Sequence, residues 1–194
     1  MKRNALLLSI ALCGAVTACA SDPKDSPEAM KATFAGGLKA YDSGNFALAF
    51  KTWSSIDDVD LGAMRNVAVM LRTGKGVEKD PKAAQTMMQQ AAEAGLFTAQ
   101  ADLGDMLLKG EAGAPNPKAA SQWLALAALA GHPMAEFELG QLYEQGSGVE
   151  KNLETARSLY KAAAAKGVTE ASQRLTALPP EAPQIPAQAP AQKP

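Results

Sequence analysis

Cysteine and histidine are nearly missing from this chain: two cysteines and one histidine stand among 194 residues. So few cysteines exclude a disulfide framework and a cysteine-rich zinc fold, and one histidine excludes a multi-histidine metal site. Charge of one sign is missing too. Nineteen basic residues face 20 acidic ones, net −1, so the basic footprint of a nucleic-acid binder is absent. No apolar run is long: Leu6 to Val16 covers 11 residues with Ser9 inside it, short of the roughly 20 that span a bilayer. Aromatic residues make up only 5%. What is present is alanine, in a chain 47% hydrophobic and long enough for one domain or one short repeat array. That balance favours close-packed helices over a β-sandwich or barrel.

The amino terminus reads as an export signal. Lys2 and Arg3 precede the short apolar core. Val16-Thr17-Ala18-Cys19 then resembles the bacterial lipobox. The resemblance implies cleavage before Cys19, thioether lipidation of its sulfur and acylation of the new terminus. Cys13 is a competitor, but Leu12 before it is too large for the small-residue position. The alternative is a general cleavage site that leaves Cys19 an ordinary residue. Several acyl chains on one residue hold a membrane firmly where a single chain does not, since each buried CH₂ contributes about 0.8 kcal/mol. Residue 20 is Ala rather than the Asp that keeps enteric lipoproteins in the inner membrane, so the resemblance points to the outer membrane, facing the periplasm. Without residues 1–18 the balance becomes 17 basic against 20 acidic, net −3, with one cysteine. Residues 19–31, with Pro23, Pro27 and several charges, have the composition of a flexible tether.

Self-comparison organises the rest. Ala63, Ala99, Ala135 and Ala171 are spaced 36 residues apart. The same shift relates Val67, Leu103, Leu139 and Leu175, and it relates Gly74, Gly110 and Gly146. It also relates Gly95, Gly131 and Gly167, and Ala91, Ala127 and Ala163. Each unit reads as two helices. Ala135, Leu139, Leu142 and Tyr143 form one apolar face over about 133–145; Leu153, Ala156, Leu159, Tyr160 and Ala163 form the next, ending at Gly167. Asp80-Pro81 and Asn116-Pro117 place a capping side chain before a first-turn proline, and Asn152 repeats the cap. Small residues at Gly104, Gly140, Ala84, Ala120 and Ala156 allow close helix approach.

This pattern resembles the Sel1-like repeat, a relative of the tetratricopeptide repeat. The clearest unit runs from Ala135 through Gly140, Gly146-Ser147-Gly148-Val149 and Asn152 to Gly167. The unit from Ala63 keeps Gly74-Lys75-Gly76-Val77, whereas the unit from Ala99 replaces that step with Glu111-Ala112-Gly113-Ala114-Pro115, and its loop should sit differently. Residues 32–59 carry a divergent, more tetratricopeptide-like unit, and about 169–178 a capping helix. The resemblance implies an all-α, right-handed α-solenoid of antiparallel helix pairs over residues 32–178, about nine helices in all. Residues 179–194 hold six prolines and read as a disordered Pro/Ala/Gln-rich tail. The sharper alternative for the tail is an extended ligand for a proline-reading partner.

No catalytic constellation stands out. His132, between helices, reads as a residue packed at a helix cap. Asp57, Asp58 and Asp60 fit no calcium loop and read as capping and solvated acids. Glu136, Glu138, Lys82 and Lys118 read as solvated faces, and Met64, Met70, Met87, Met88 and Met106 as core. No cofactor, metal or nucleic acid is expected. In arrays of the tetratricopeptide type the first helix of each pair lines a concave groove, and the resemblance carries that face onto Arg65, Val69 and Arg72. The following units supply Ala101, Asp105, Leu108 and Lys109, then Phe137, Gln141 and Glu144. Phe137 and Leu108 would be apolar anchors there, and the arginines could clamp a partner's carboxylate. The plain alternative is that these ten are ordinary surface residues. The expected function is a membrane-anchored adaptor that holds a protein or peptide in this groove. Alternatives are a periplasmic regulator that sequesters a sensor domain and, against the lack of any nucleophile–base set, a cell-wall enzyme.

Overall fold

A computed structural model of the chain describes residues 26–180. Nine helices and no strand occur among the described residues: α1 Pro27–Asp42, α2 Phe46–Trp53, α3 Leu61–Thr73, α4 Pro81–Glu93, α5 Phe97–Lys109, α6 Pro117–Leu129, α7 Pro133–Gln145, α8 Leu153–Ala165 and α9 Thr169–Ala177. The expected signal at 1–18, Cys19 and tail residues 181–194 lie outside the described residues.

Local chemistry sets each boundary. Asp80 Oδ1 accepts hydrogen bonds from the Lys82 and Ala83 amides at 3.1 and 3.0 Å. Asn116 and Asn152 accept from Ala119 and Thr155 at 3.0 and 2.9 Å. His132 is itself a cap: its Nδ1 accepts from the Ala135 amide at 3.3 Å. Burial holds its imidazole below the usual histidine range, so at neutral pH it is the uncharged acceptor the cap requires. The first helix begins earlier than the sequence pattern indicated. Residues 27–31, read as tether, are its first turn, because Ser26 accepts from Ala29 at 3.2 Å, Pro27 occupies the first helical position and Glu28 faces the positive helix end.

The core consists of four clusters, and each spans three consecutive helices rather than one pair. Ala40, Trp53, Val67 and Met70 join α1, α2 and α3. Ala84, Met88, Leu103 and Met106 belong to the cluster joining α3, α4 and α5. Leu124, Ala127, Leu139 and Leu142 belong to that of α5, α6 and α7. Ala156, Tyr160, Val168 and Ala171 belong to that of α7, α8 and α9. Every second helix of a pair therefore buries itself against two first helices, and no pair closes a core alone, which is the nearest-neighbour logic of an α-solenoid. Register-equivalent residues share an environment: Ala63, Ala99, Ala135 and Ala171 are all fully buried. Leu175 is only half-buried, since no helix follows α9 to cover it.

Two kinds of glycine permit the close approach. A Cβ on Gly104 would lie 2.6 Å from Leu124, and one on Gly140 2.7 Å from Tyr160. Gly76 and Gly148, in the loops from first to second helix, nest on the opening turn of the preceding second helix. A Cβ there would lie 2.4 Å from the carbonyl carbon of Phe46 or Pro117. The equivalent position in the middle unit is Ala112. Its loop differs at the tip, as the broken Gly-Val step predicted: Ala112 lacks the left-handed φ of Gly76 and Gly148, and the Gly113 amide donates to the Gly110 carbonyl at 3.3 Å, while Gly110 meets Pro115 as Gly74 meets Lys79. A cleft of about 620 Å³ lies beside it, where α4 begins, lined by Arg72, Thr73, Lys79, Pro81, Lys109 and Glu111.

Candidate partner-binding groove

Among the first helices, α3 reaches α5 through side chains. α5 packs directly on α7, while no contact as extensive joins α4 to α6 or α6 to α8. Their facing side chains are charged and cross-linked. Arg65 Nε donates to Asp102 Oδ2 at 2.6 Å. Arg72 reaches Asp105 with Nη2 and grips Glu111 with two nitrogens, Nε to Oε2 at 2.6 Å. Lys109 Nζ lies 2.7 Å from the other Asp105 oxygen. The Glu111 hydrogen bonds raise the Arg72 guanidinium above its usual range. Burial would lift the Asp105 carboxyl, but hydrogen bonds from Lys109 and Arg72 outweigh it and hold the group below the ordinary range.

This geometry revises the groove read from the sequence. Arg65 and Arg72 reach from α3 to α5 and the loop after it, and carboxylates of the same chain already occupy their guanidinium groups, so neither is free to clamp a partner. Phe137 is no anchor. It is 91% buried, 5.7 Å from the Tyr160 ring, in the cluster that α9 closes with Ala171 and Leu178. Ala101 is buried as well, among Leu124, Leu139 and Leu142. Val69 and Leu108 are half-buried and pack on the core. Glu144 accepts from the Tyr160 hydroxyl at 2.6 Å and pairs with Arg174 at 3.5 Å. Lys109 is exposed and Gln141 half-buried.

Two glutamates on α7 also depart from expectation. Glu136 is not solvated: it is buried, paired with Lys166, whose Nζ also donates to the Gly131 carbonyl at 3.0 Å. Lys166 closes the α8–α9 turn over α7 and shields the carboxylate. Glu138 is half-buried and makes no hydrogen bond or ion pair with the described residues. Burial, with the fields of Asp105 and Asp102 added, pushes its carboxyl up to about 7. A detectable signal did exist for these pairs. Arg65 and Asp102 are 37 residues apart and Arg72 and Asp105 33, offsets that place opposite charges side by side on adjacent units of a 36-residue repeat.

Glu138 carries a stability prediction. A carboxyl raised in the folded state binds its proton more tightly than in the unfolded chain. Its charged form therefore weakens folding progressively as pH rises from about 4.5 to 7. Glu138→Gln removes the penalty. We expect it to raise stability by roughly 1–2 kcal/mol at pH 8, discounted for partial exposure, and to change little below pH 4. Urea unfolding at both pH values checks this.

Apolar exposure lies elsewhere in two places, on and beside α6 and, with Leu38, Leu48 and Val59, on α1 and α2 and just after them. Leu129 is 88% exposed, and Leu126, Phe97 and Met134 are about half exposed. Among the described residues no group of three or more His, Cys, Asp or Glu could hold a metal ion, and no helix is long and apolar enough to cross a membrane.

Three consecutive segments, residues 62–96, 98–132 and 133–168, match the Sel1 repeat. They coincide with the units α3–α4, α5–α6 and α7–α8. Among solved structures, the chain is similar to a protective antigen of uropathogenic Escherichia coli that displays an SLR fold, at 31% identity and a TM-score of 0.71. That match covers 76% of this chain and 33% of the antigen. A Sel1 repeat protein from Oxalobacter formigenes matches at 31% identity and TM-score 0.67, over 72% of this chain and 57% of that one. An immunity protein from Pseudomonas aeruginosa matches at 27% identity and TM-score 0.55, over 78% and 58%. The chain thus spans a third to three fifths of these proteins. No curated protein matches it.

Proposed function

Because the chain belongs to the Sel1 repeat family, whose members generally mediate protein–protein interaction, we propose that it is a non-catalytic adaptor that holds a protein or peptide segment along the inner face of α3, α5 and α7. We further propose that it is tethered to the bacterial envelope by lipid on Cys19, at the periplasmic face of the outer membrane. The observation that carries the adaptor reading is the row of cross-helix ion pairs. Arg65–Asp102 and Arg72–Asp105 lock adjacent units in one register, so the surface is already ordered before a partner arrives, which lowers the ordering cost of binding.

A photocrosslinker placed at Lys109 or Gln141 in intact cells tests it. Capture of a defined partner from these positions, and not from exposed Glu93 on α4, is expected. Equal capture from Glu93 overturns the groove. Cys19→Ser tests the anchor separately: the variant should leave the membrane fraction and lose acyl labelling, and a variant that keeps both overturns the anchor.

A further inference from the structure

We propose that the groove contains a seat for one arginine side chain of the bound segment, at Glu138 between α5 and α7. The repeat itself shows the intended occupant. Asp102 on α5 and Glu138 on α7 share one register, 36 residues apart. On the α3 side the Asp102 carboxylate is held by the Arg65 guanidinium, 2.6 Å away. The residue that would do the same for Glu138 is the register equivalent of Arg65, and it is Ala101. A methyl group cannot reach a carboxylate, so this rung of the charge ladder keeps its acid and lacks its cation.

The neighbouring cations do not fill the gap. Arg72 is committed to Asp105 and Glu111, Lys109 to Asp105, and Arg65 to Asp102. On the other side Arg174 of α9 lies against Glu144, and Tyr160 of α8 donates to the same Glu144. The charges that reach Glu138 are Asp105, Lys109, Asp102 and Arg72, two of each sign. Three of those four are bonded to one another and Asp102 to Arg65, leaving Glu138 as the one uncompensated acid of the row. A guanidinium entering from the groove would restore the pairing seen one unit earlier, with the planar two-donor geometry a carboxylate accepts. The raised carboxyl of Glu138 agrees with an acid awaiting a cation, and it makes occupancy pH-dependent: only the ionised form binds.

The proposal rests on the groove reading, and its test separates the two. N-acetyl-arginine amide is titrated into the full chain at pH 8, with N-acetyl-citrulline amide as the neutral isostere, while the Glu138 side-chain carboxyl is followed by NMR. The arginine probe should shift that resonance saturably and lower its titration midpoint by a unit or more, and the citrulline probe should do neither. With affinity read by calorimetry, Glu138→Gln should weaken the arginine probe at least about tenfold, and binding to the unaltered chain should fall about tenfold per pH unit below 7. Ala101→Arg, which supplies the missing rung, should abolish the response; if that variant does not fold, Glu138→Gln and the citrulline control decide. An equal response to citrulline, or undiminished binding by Glu138→Gln, overturns the seat. Partner capture at Lys109 and Gln141 that is indifferent to Glu138→Gln also overturns the seat while leaving the groove. Loss of groove capture with the arginine response intact does the reverse.

Discussion

Gly148→Ala is expected to destabilise the protein by about 4 kcal/mol, the combined effect of a left-handed backbone and an immovable neighbour. Gly148 has φ +72°, where an L side chain is strained by roughly 1–2 kcal/mol. The added methyl would also sit 2.4 Å from the Pro117 carbonyl carbon and 2.6 Å from the Lys118 nitrogen. Both are main-chain atoms of the first turn of α6, so relief requires the loop to lift off the helix. Gly167 isolates the first contribution: its φ is +92° but nothing lies within 4 Å, so Gly167→Ala should cost only about 1 kcal/mol. Urea unfolding of the two variants side by side measures the difference, and equal midpoints would show that the nesting does not constrain the fold. The chain contains its own version of the experiment. Ala112 stands at this register in the middle unit, the loop there differs at its tip, and the cleft beside Pro81 lies where the other units have contact.

The repeat made most of this architecture readable in advance. A 36-residue period constrains every unit at once, so Asp80, Asn116 and Asn152 declared three helix starts by the same chemistry, and each side chain caps as expected. The start of α1 was harder, because Ser26-Pro27-Glu28 is a cap signature inside a segment whose prolines and charges also suit a tether. Side-chain direction within the groove was harder still. A register says which helix a residue sits on and roughly which side; a turn of rotation decides whether Phe137 meets solvent or Tyr160. The last helix made that choice, because α9 brings Val168, Ala171 and Leu178 over the aromatic pair. Charged residues were misread for a related reason. Glu136 and Glu138 are two positions apart on α7, and neither is a fully solvated face: Glu136 is enclosed with Lys166, and Glu138 is half-buried within the fields of the α5 acids. Solvated and paired acids look alike in a single unit and differ only once the neighbouring unit is laid beside it.

Arg72→Met is expected to destabilise the chain by about 3 kcal/mol at pH 7, even though it keeps the length and packing of the side chain. Arg72 joins three segments: α3 through its own backbone, α5 through Asp105, and the loop after α5 through Glu111. Its side chain is only 16% exposed and those of Asp105 and Glu111 21% and 24%, so solvent screens the set incompletely. Removing the guanidinium leaves Asp105 with Lys109 alone and deprives Glu111 of the two-donor grip that sets its position. The sign of the pH dependence follows from Asp105, whose carboxyl lies below its ordinary 3.8 in the folded chain. A depressed acid stabilises folding fully above its unfolded pKa, and that contribution fades as pH falls through the folded value. The deficit of Arg72→Met should therefore be full at pH 7 and shrink below about pH 4, where the carboxylates it served are protonated. Glu111→Gln in the same background separates the partners, because a double-mutant cycle returns the Arg72–Glu111 coupling without the Asp105 contribution. A deficit that persists undiminished at pH 3 would assign the loss to packing rather than charge, and the ion-pair row would then no longer explain how the groove is held open in one shape.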